Sequence, residues 1–252
     1  GFGLGRTAPP PSIWSTDHGA TRAPNLSREE KMGFVFVVPR EKLFPEFLPQ
    51  GLVRFDAELT RESVMDSIHE HGFYVERDYA ERTPSLKQVI PYTVVVSEGK
   101  VMLTKRLPQG GEGRLVGKLS IGIGGHMNPE DHSDSGQDVE GGPPKNSDPV
   151  AECTLRELEE ELWLEGARRL EPIGLINDDS NPVGAVHVGL VQVLFLHKGS
   201  ARVREEDILE GRMVAPNELQ SLLGEDANFE TWSRMLVERL AELLPLPQPA
   251  HS

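Results

Sequence analysis

Asp148-Pro149-Val150-Ala151-Glu152-Cys153-Thr154-Leu155-Arg156-Glu157-Leu158-Glu159-Glu160-Glu161-Leu162-Trp163-Leu164 carries the densest pattern in the chain. Asp148 is a good N-cap, and Pro149 suits the first helical position. Gly166 supplies a stop. The segment predicts a helix over about 149–164. At about 100° per residue, Ala151, Leu155, Leu158 and Leu162 fall on one stripe, the expected core face. Glu157, Glu160 and Glu161 cluster on a second face, nearly opposite, with Arg156 beside them. Three carboxylates on one face repel one another, and one arginine cannot neutralise them all. Either that face is simply solvated, or it gathers divalent cations. Mg²⁺ prefers carboxylate and water oxygens and bridges to substrate phosphates.

The flanks give the helix a setting. Upstream, Val89–Val96 reads as a strand, Ser97-Glu98-Gly99 as a turn and Lys100–Arg106 as the return strand of a hairpin. A Gly-rich loop follows at 109–113. A short strand, Leu119–Ile123, then ends at Gly124-Gly125. Residues 126–148 form a polar loop, long for a compact domain. Downstream, strands are expected near 170–176 and 186–196. A last helix over about 227–243 places Phe229, Trp232, Met235, Leu236, Leu240 and Leu243 at helical spacing. Strands on both sides of a central helix, with a second helix at the end, imply a mixed α/β sandwich.

Arg156-Glu157-Leu158-Glu159-Glu160-Glu161 resembles the core of the Nudix box, Arg-Glu-aliphatic-x-Glu-Glu. Ser120-Ile121-Gly122-Ile123-Gly124-Gly125-His126 resembles the strand and Gly-Gly turn that precede that box. The phrase from Ile121 to Asp131 is similar to a branch of MutT-like phosphoesterases. The resemblance covers about 89–245 and implies an α/β/α sandwich with a mixed sheet, carrying an N-terminal extension. It implies a metal-dependent hydrolase that cleaves a diphosphate linking a nucleoside diphosphate to another moiety, or a related phosphoester. Glu157, Glu160 and Glu161 would hold Mg²⁺ or Mn²⁺. Glu157, Glu160 and Arg156 would form the catalytic set, Arg156 by orienting the glutamates. Gly124, Gly125, His126, Arg106 and Asp179 are the candidates for contact with a small phosphorylated substrate. Glu206, beside Glu205 and Asp207, is the candidate distal acid. A homodimer is a further implication.

Each of these has a plainer alternative. Glu205–Asp207 also reads as an exposed acidic turn before a helix, and Asp178-Asp179-Ser180-Asn181 as an Asx-rich turn. His126 is a lone histidine, and His187 in an apolar strand reads as structural. Lys105, Arg106, Arg114 and Lys118 either meet a phosphate tail or stay solvated. The sequence also departs from the box. Trp163 stands where the box has glycine, and Asp148 where it has an isolated Glu. The first box glycine is Gly125, with an insertion after it, or Gly142. Two other functions compete. An isopentenyl diphosphate isomerase would need a reactive cysteine, and Cys153 inside the helix is poorly placed. A non-catalytic Nudix-fold nucleotide-binding or regulatory module would not need the repelling glutamates.

Composition bounds the rest. The chain has 252 residues, with 40 acidic against 26 basic and a net charge of -14. Such a surface repels phosphate backbones, so nucleic acid is an unexpected partner. The single cysteine, Cys153, excludes an intramolecular disulfide and fits a cytoplasmic setting. No run reaches the roughly 18 apolar residues of a membrane span, and the first residues lack the basic-then-apolar order expected of a signal peptide. Residues 1–31, rich in Gly, Pro, Ser and Thr, read as a disordered leader, with Met32 the expected true start. Residues 32–88 read as an extension packing on the main domain. They hold a strand at 34–38, a helix over Arg61–His71 and the aromatics Phe73, Tyr74 and Tyr79. Residues 246–252 read as a disordered tail.

Overall fold

The apolar run Val89-Ile90-Pro91-Tyr92-Thr93-Val94-Val95-Val96 becomes the centre of the molecule. The structure is a computed structural model that describes residues 33–46, 48–110, 115–131, 148–204 and 206–244. The leader 1–31, Arg114, Gly142, Glu205 and the tail 246–252 lie outside the described residues. So do most of the Gly-rich loop and of the 126–148 loop.

The chain order is β1 (Phe34–Pro39), α1 (Arg40–Leu43), β2 (Gly51–Arg54), α2 (Arg61–His71), β3 (Phe73–Glu76), α3 (Arg77–Ala80), β4 (Leu86–Ser97), β5 (Lys100–Arg106), β6 (Leu119–Ser120) and β7 (Gly122–Gly124). Then follow α4 (Pro149–Glu161), β8 (Leu162–Leu164), β9 (Ala167–Asn177), α5 (Pro182–Ala185), β10 (His187–His197), β11 (Ala201–Val203), β12 (Leu209–Val214), α6 (Pro216–Gly224), α7 (Thr231–Glu238) and α8 (Leu240–Leu243).

β4 is buried along its whole length. It pairs in parallel with β10 from Gln88↔His187 to Ser97↔Leu196, and antiparallel with β1, β5 and β7. The main path of the mixed sheet runs β12-β5-β4-β10-β9-β2. Glu98 and Gly99 both have positive φ, the conformation of a tight hairpin turn between β4 and β5. Strand alternation sorts the core into two layers. On one face, Tyr92, Val94, Val96, Val191 and Val193 pack on Leu219, Leu236, Val237 and Leu240 of α6, α7 and α8. On the other, Val89, Val188 and Leu190 meet Val150 and Cys153 of α4 and Val64 and Ile68 of α2. Val95 and Leu194 meet Leu158 there. The architecture is therefore the expected α/β/α sandwich.

The extension is part of that sheet. β1 pairs with β4, β3 with β1, and β2 with β9. α2 spans the expected residues, capped by Thr60, whose Oγ1 accepts from the Ser63 N–H at 3.1 Å.

Three expectations about the elements need correction. First, α4 packs a different face. Its buried residues are Val150, Cys153, Thr154 and Leu158, while Leu155 is 49% exposed. The buried stripe is rotated towards Glu157 and Glu161, so these two carboxylates face the domain while Glu160 stays in solvent. Second, α4 stops at Glu161. A further turn would carry Leu162 round to the exposed side of Leu155. Extending the chain instead buries Leu162 among Leu158, Leu196 and Val203. β8 then pairs with β11, and Trp163 lies under the Arg204 guanidinium, 3.5 Å from its ring centroid. Gly166, with φ +94°, turns the chain from β8 into β9 rather than ending the helix. Third, the last helix is broken. It starts only at Thr231, where Glu230 caps it by accepting from the Ser233 N–H at 2.7 Å. It is interrupted at Arg239, whose guanidinium donates to Glu242 and to the Leu52 carbonyl.

Candidate active site

Gly124 and Gly125 end β7 directly beneath α4. A Cβ on Gly124 would lie 2.1 Å from the Pro91 carbonyl oxygen, and one on Gly125 would lie 2.3 Å from Glu157 Oε1. The backbone bars a side chain at Gly124, whereas one at Gly125 would have to displace the Glu157 carboxylate. The second contact gives Gly125 a physical tie to the acidic helix, in line with its reading as the first box glycine. Gly125→Ala is expected to push the Glu157 carboxylate aside. We expect Mn²⁺ affinity to fall about 10–100-fold, the usual effect of disturbing a ligand's support, at little change in melting temperature. Calorimetric titration of Mn²⁺ checks this.

Arg156 organises the helix face. Its Nε donates to Asp131 Oδ1 at 2.6 Å and its Nη2 to Asp131 Oδ2 at 3.0 Å, a bidentate pair. Nη1 donates to Glu157 Oε1 at 2.6 Å and, more weakly, to Glu160 Oε2 at 3.4 Å. Nη2 also donates to the His126 carbonyl at 3.0 Å. One guanidinium thus ties the box helix to the turn before it. Asp131, its side chain 2% exposed, went unrecognised in the sequence. It closes the phrase that carries the subfamily resemblance, but nothing in its spacing marked it as Arg156's partner.

The three glutamates differ in setting. Glu157 is 14% exposed, Glu161 is 21% exposed and Glu160 is 59% exposed. Burial pushes the Glu157 carboxyl up to about 7, Arg156 pulls it down, and the charges of Glu160 and Glu161 add to the rise. Glu161 accepts from Arg106 Nη2 at 3.1 Å. The donor set is all oxygen and carries like charges, with Glu157 and Glu161 largely withdrawn from water and Glu160 exposed. That suits a hard divalent cation such as Mg²⁺ or Mn²⁺.

A cavity of about 370 Å³ opens beside these groups. Gly124, Gly125, His126, Arg106 and Glu161 line it, so five of the sequence-predicted residues meet there. Lys118 and Arg77 add positive charge, and Ile90, Tyr92 and Trp232 add an apolar wall. Tyr92 and Trp232 stand edge to face, with centroids 5.4 Å apart. The Tyr92 hydroxyl donates to Glu230 and lies 2.7 Å from Ser233 Oγ. Glu230 also lines the cavity; the sequence offers it only as one position within the expected last helix.

Five predicted residues do not line it: Arg156, Glu157 and Glu160 stay on α4 outside the lining, and Asp179 and Glu206 lie elsewhere. Asp179 is not among the lining residues; its neighbours Asp178 and Asn181 are. It accepts from Lys87 Nζ at 2.6 Å and Arg40 Nη2 at 2.7 Å, so its carboxylate is engaged in holding the turn. Glu206 sits in the turn before β12, a strand rather than the expected helix, and lines a separate depression with Lys105 and Arg212. Cys153 is buried, and burial and the Asp131 charge push its thiol well above the usual range, which removes the thiolate an isomerase would need. No helix among the described residues is long and apolar enough to cross a membrane.

Comparisons with known proteins agree with this geometry. No family model matches the chain. The chain is 36% identical over 213 residues to Protein YmaB of Bacillus subtilis (strain 168), a match covering 82% of this chain and 96% of that one. Its structure is similar to that of Tm1382, a protein classed with the Nudix hydrolases. The TM-score is 0.65 at 29% identity, covering 84% of this chain and all of the other. Since that likeness covers 84% of this chain and the full length of Tm1382, the chain belongs to the Nudix (MutT-like) hydrolase superfamily.

Proposed function

We propose that the protein is a metal-dependent hydrolase that cleaves a diphosphate joining a nucleoside diphosphate to another group, with Mg²⁺ or Mn²⁺ held by Glu157, Glu160 and Glu161. The observation that carries this reading is the buried Glu157 carboxylate, held by Arg156 and pressed against Gly125 on the wall of a cavity that also presents Glu161 and Arg106. Like charges on the largely buried Glu157 and Glu161 cost stability unless cations offset them. A bound cation of this kind neutralises the diphosphate and lowers the pKa of a coordinated water.

The chain's own groups do the rest. Arg156 fixes Glu157 through its grip on Asp131. Arg106 and Lys118, both on the cavity wall, would take phosphate oxygens. Trp232 and Tyr92 offer an apolar surface for a planar group. Most of the barrier reduction would come from positioning and charge stabilisation. The test is product release from nucleoside triphosphates, dinucleoside polyphosphates, nucleotide sugars and ADP-ribose, with Mg²⁺ or Mn²⁺, beside a Glu160→Gln/Glu161→Gln control of matched melting temperature. Metal-dependent turnover absent from the control is expected. Substrate binding with no metal-dependent turnover of any compound would favour a non-catalytic binding module instead.

A further inference from the structure

Two histidines on the cavity wall have a third partner that the box mechanism does not use. Glu81, just after α3, His126, in the turn after β7, and His187, at the start of β10, each offer one ligand atom, and these atoms all lie within 4.8 Å of one another. Among the described residues, the box glutamates do not reach that spacing. His126 Nε2 and His187 Nε2 are 3.1 Å apart, and the rings meet at 63°. His187 Nδ1 lies 2.7 Å from the Val183 carbonyl oxygen. A carbonyl only accepts, so Nδ1 carries the proton and Nε2 turns its lone pair towards His126 and Glu81. A metal-binding histidine is usually fixed this way, its far nitrogen donating to a backbone carbonyl.

The geometry is close to closure. Ligand atoms about 2.0–2.2 Å from a tetrahedral zinc ion lie about 3.3–3.6 Å apart, so the two imidazole nitrogens, 3.1 Å apart, are already near that spacing and the Glu81 carboxylate has to close by up to about 1.5 Å. The positions are also anchored independently. Arg156 grips the His126 carbonyl, β10 pairs Gln88 with His187, and Glu81 is tied to the last turn of α3 through its N–H to Arg77 O at 2.9 Å. Two imidazoles and one carboxylate suit a borderline transition metal better than Mg²⁺. Both histidines line the cavity, which leaves a coordination position for water or a bound molecule.

We propose that Glu81, His126 and His187 form a site for a zinc-type divalent ion, distinct from the Mg²⁺ or Mn²⁺ glutamates of α4 and on the wall of the same cavity.

The test uses the full chain carrying Glu157→Gln, Glu160→Gln and Glu161→Gln, so that α4 no longer competes. Zn²⁺ uptake is measured by calorimetry, and Co²⁺ uptake by its visible absorption. Binding of one ion per chain is expected. Adding His126→Ala or Glu81→Ala should weaken it more than about 100-fold, beyond the effect of disturbing an outer partner. The metal-free melting temperature should hold in both, because neither residue is fully buried. Absence of uptake, or uptake that ignores both substitutions, would overturn the proposal. The readout is metal binding by a chain without its box carboxylates, so either result leaves the hydrolase reading to its own assay.

Discussion

Glu157→Gln is expected to lower kcat/KM for the diphosphate substrate by roughly 10²–10³-fold, equivalent to about 3–4 kcal/mol of lost transition-state stabilisation. The loss should fall on kcat more than on KM, since Glu157 lies behind Gly125 and not on the cavity surface. The same substitution should raise the stability of the metal-free protein. The wild-type carboxyl is pushed up to about 7, mainly by burial. A group whose folded pKa exceeds its unfolded value favours the folded state at low pH. That contribution is lost as pH rises from the unfolded value towards 7. Glutamine never ionises and escapes the loss. In a chelator at pH 8, Glu157→Gln should therefore melt above wild type, and the gap should close as pH falls towards 5. Thermal melts with EDTA, paired with initial rates in Mn²⁺, check both halves. Equal melting temperatures at pH 8 would mean that the carboxylate carries no burial penalty there.

Asp179→Ala is expected to destabilise the fold by about 3–5 kcal/mol, the range for removing one partner of a buried ion pair. Lys87 is 0% exposed. Burial lowers its pKa, and Asp179 is the group that works against that fall. Its ammonium also donates to the carbonyls of Gly184, at 3.0 Å, and Ala185, at 2.8 Å. Removing Asp179 leaves a buried cation with carbonyl partners alone and loosens α5, whose Val183 and Gly184 line the cavity. Lys87→Met/Asp179→Ala should recover a large part of the loss, because the uncompensated charge goes with the pair. Urea denaturation of wild type, single and double variants makes the comparison. A single variant as stable as wild type would show that the Gly184 and Ala185 carbonyls satisfy the Lys87 ammonium by themselves.

The sequence made the sandwich legible because its signals are local. A capped acidic helix, a Gly-Gly turn and an apolar run with a hairpin each fit within about fifteen residues. Five candidate residues do meet at one cavity. What escaped depends on tertiary pairing. The choice of buried face on α4 was wrong because Leu155 and Ala151 are apolar by composition, whereas the sheet offered Thr93 and Gln192 for Thr154. Gln192 donates to Thr154 Oγ1 at 2.9 Å, a polar bond inside the core that no apolar count anticipates. Asp131 and Glu81 acquire their meaning from residues far along the chain. The short strands β2, β3, β8 and β11 carry too few residues to show alternation. Asp179 looked like a pocket residue because Asx turns often border sites; its carboxylate went to Lys87, a residue that reads as an ordinary surface lysine.

The parallel pairing of β4 with β10 also sets a timetable. Ninety-nine residues separate Gln88 from its partner His187. At a synthesis rate of about 5–20 residues per second, β4 leaves the ribosome roughly 5–20 s before the strand that completes its flank. For that interval Val94-Val95-Val96 would be an open, adhesive edge of the kind that recruits other chains. β1 is already made by then, and β5 follows within a few residues. These neighbours pair Leu86–Gln88 and Val96–Ser97 on the other flank, so the edge that β10 will cover stays open until β10 arrives, and a chain cut short before β10 should aggregate as it leaves the ribosome.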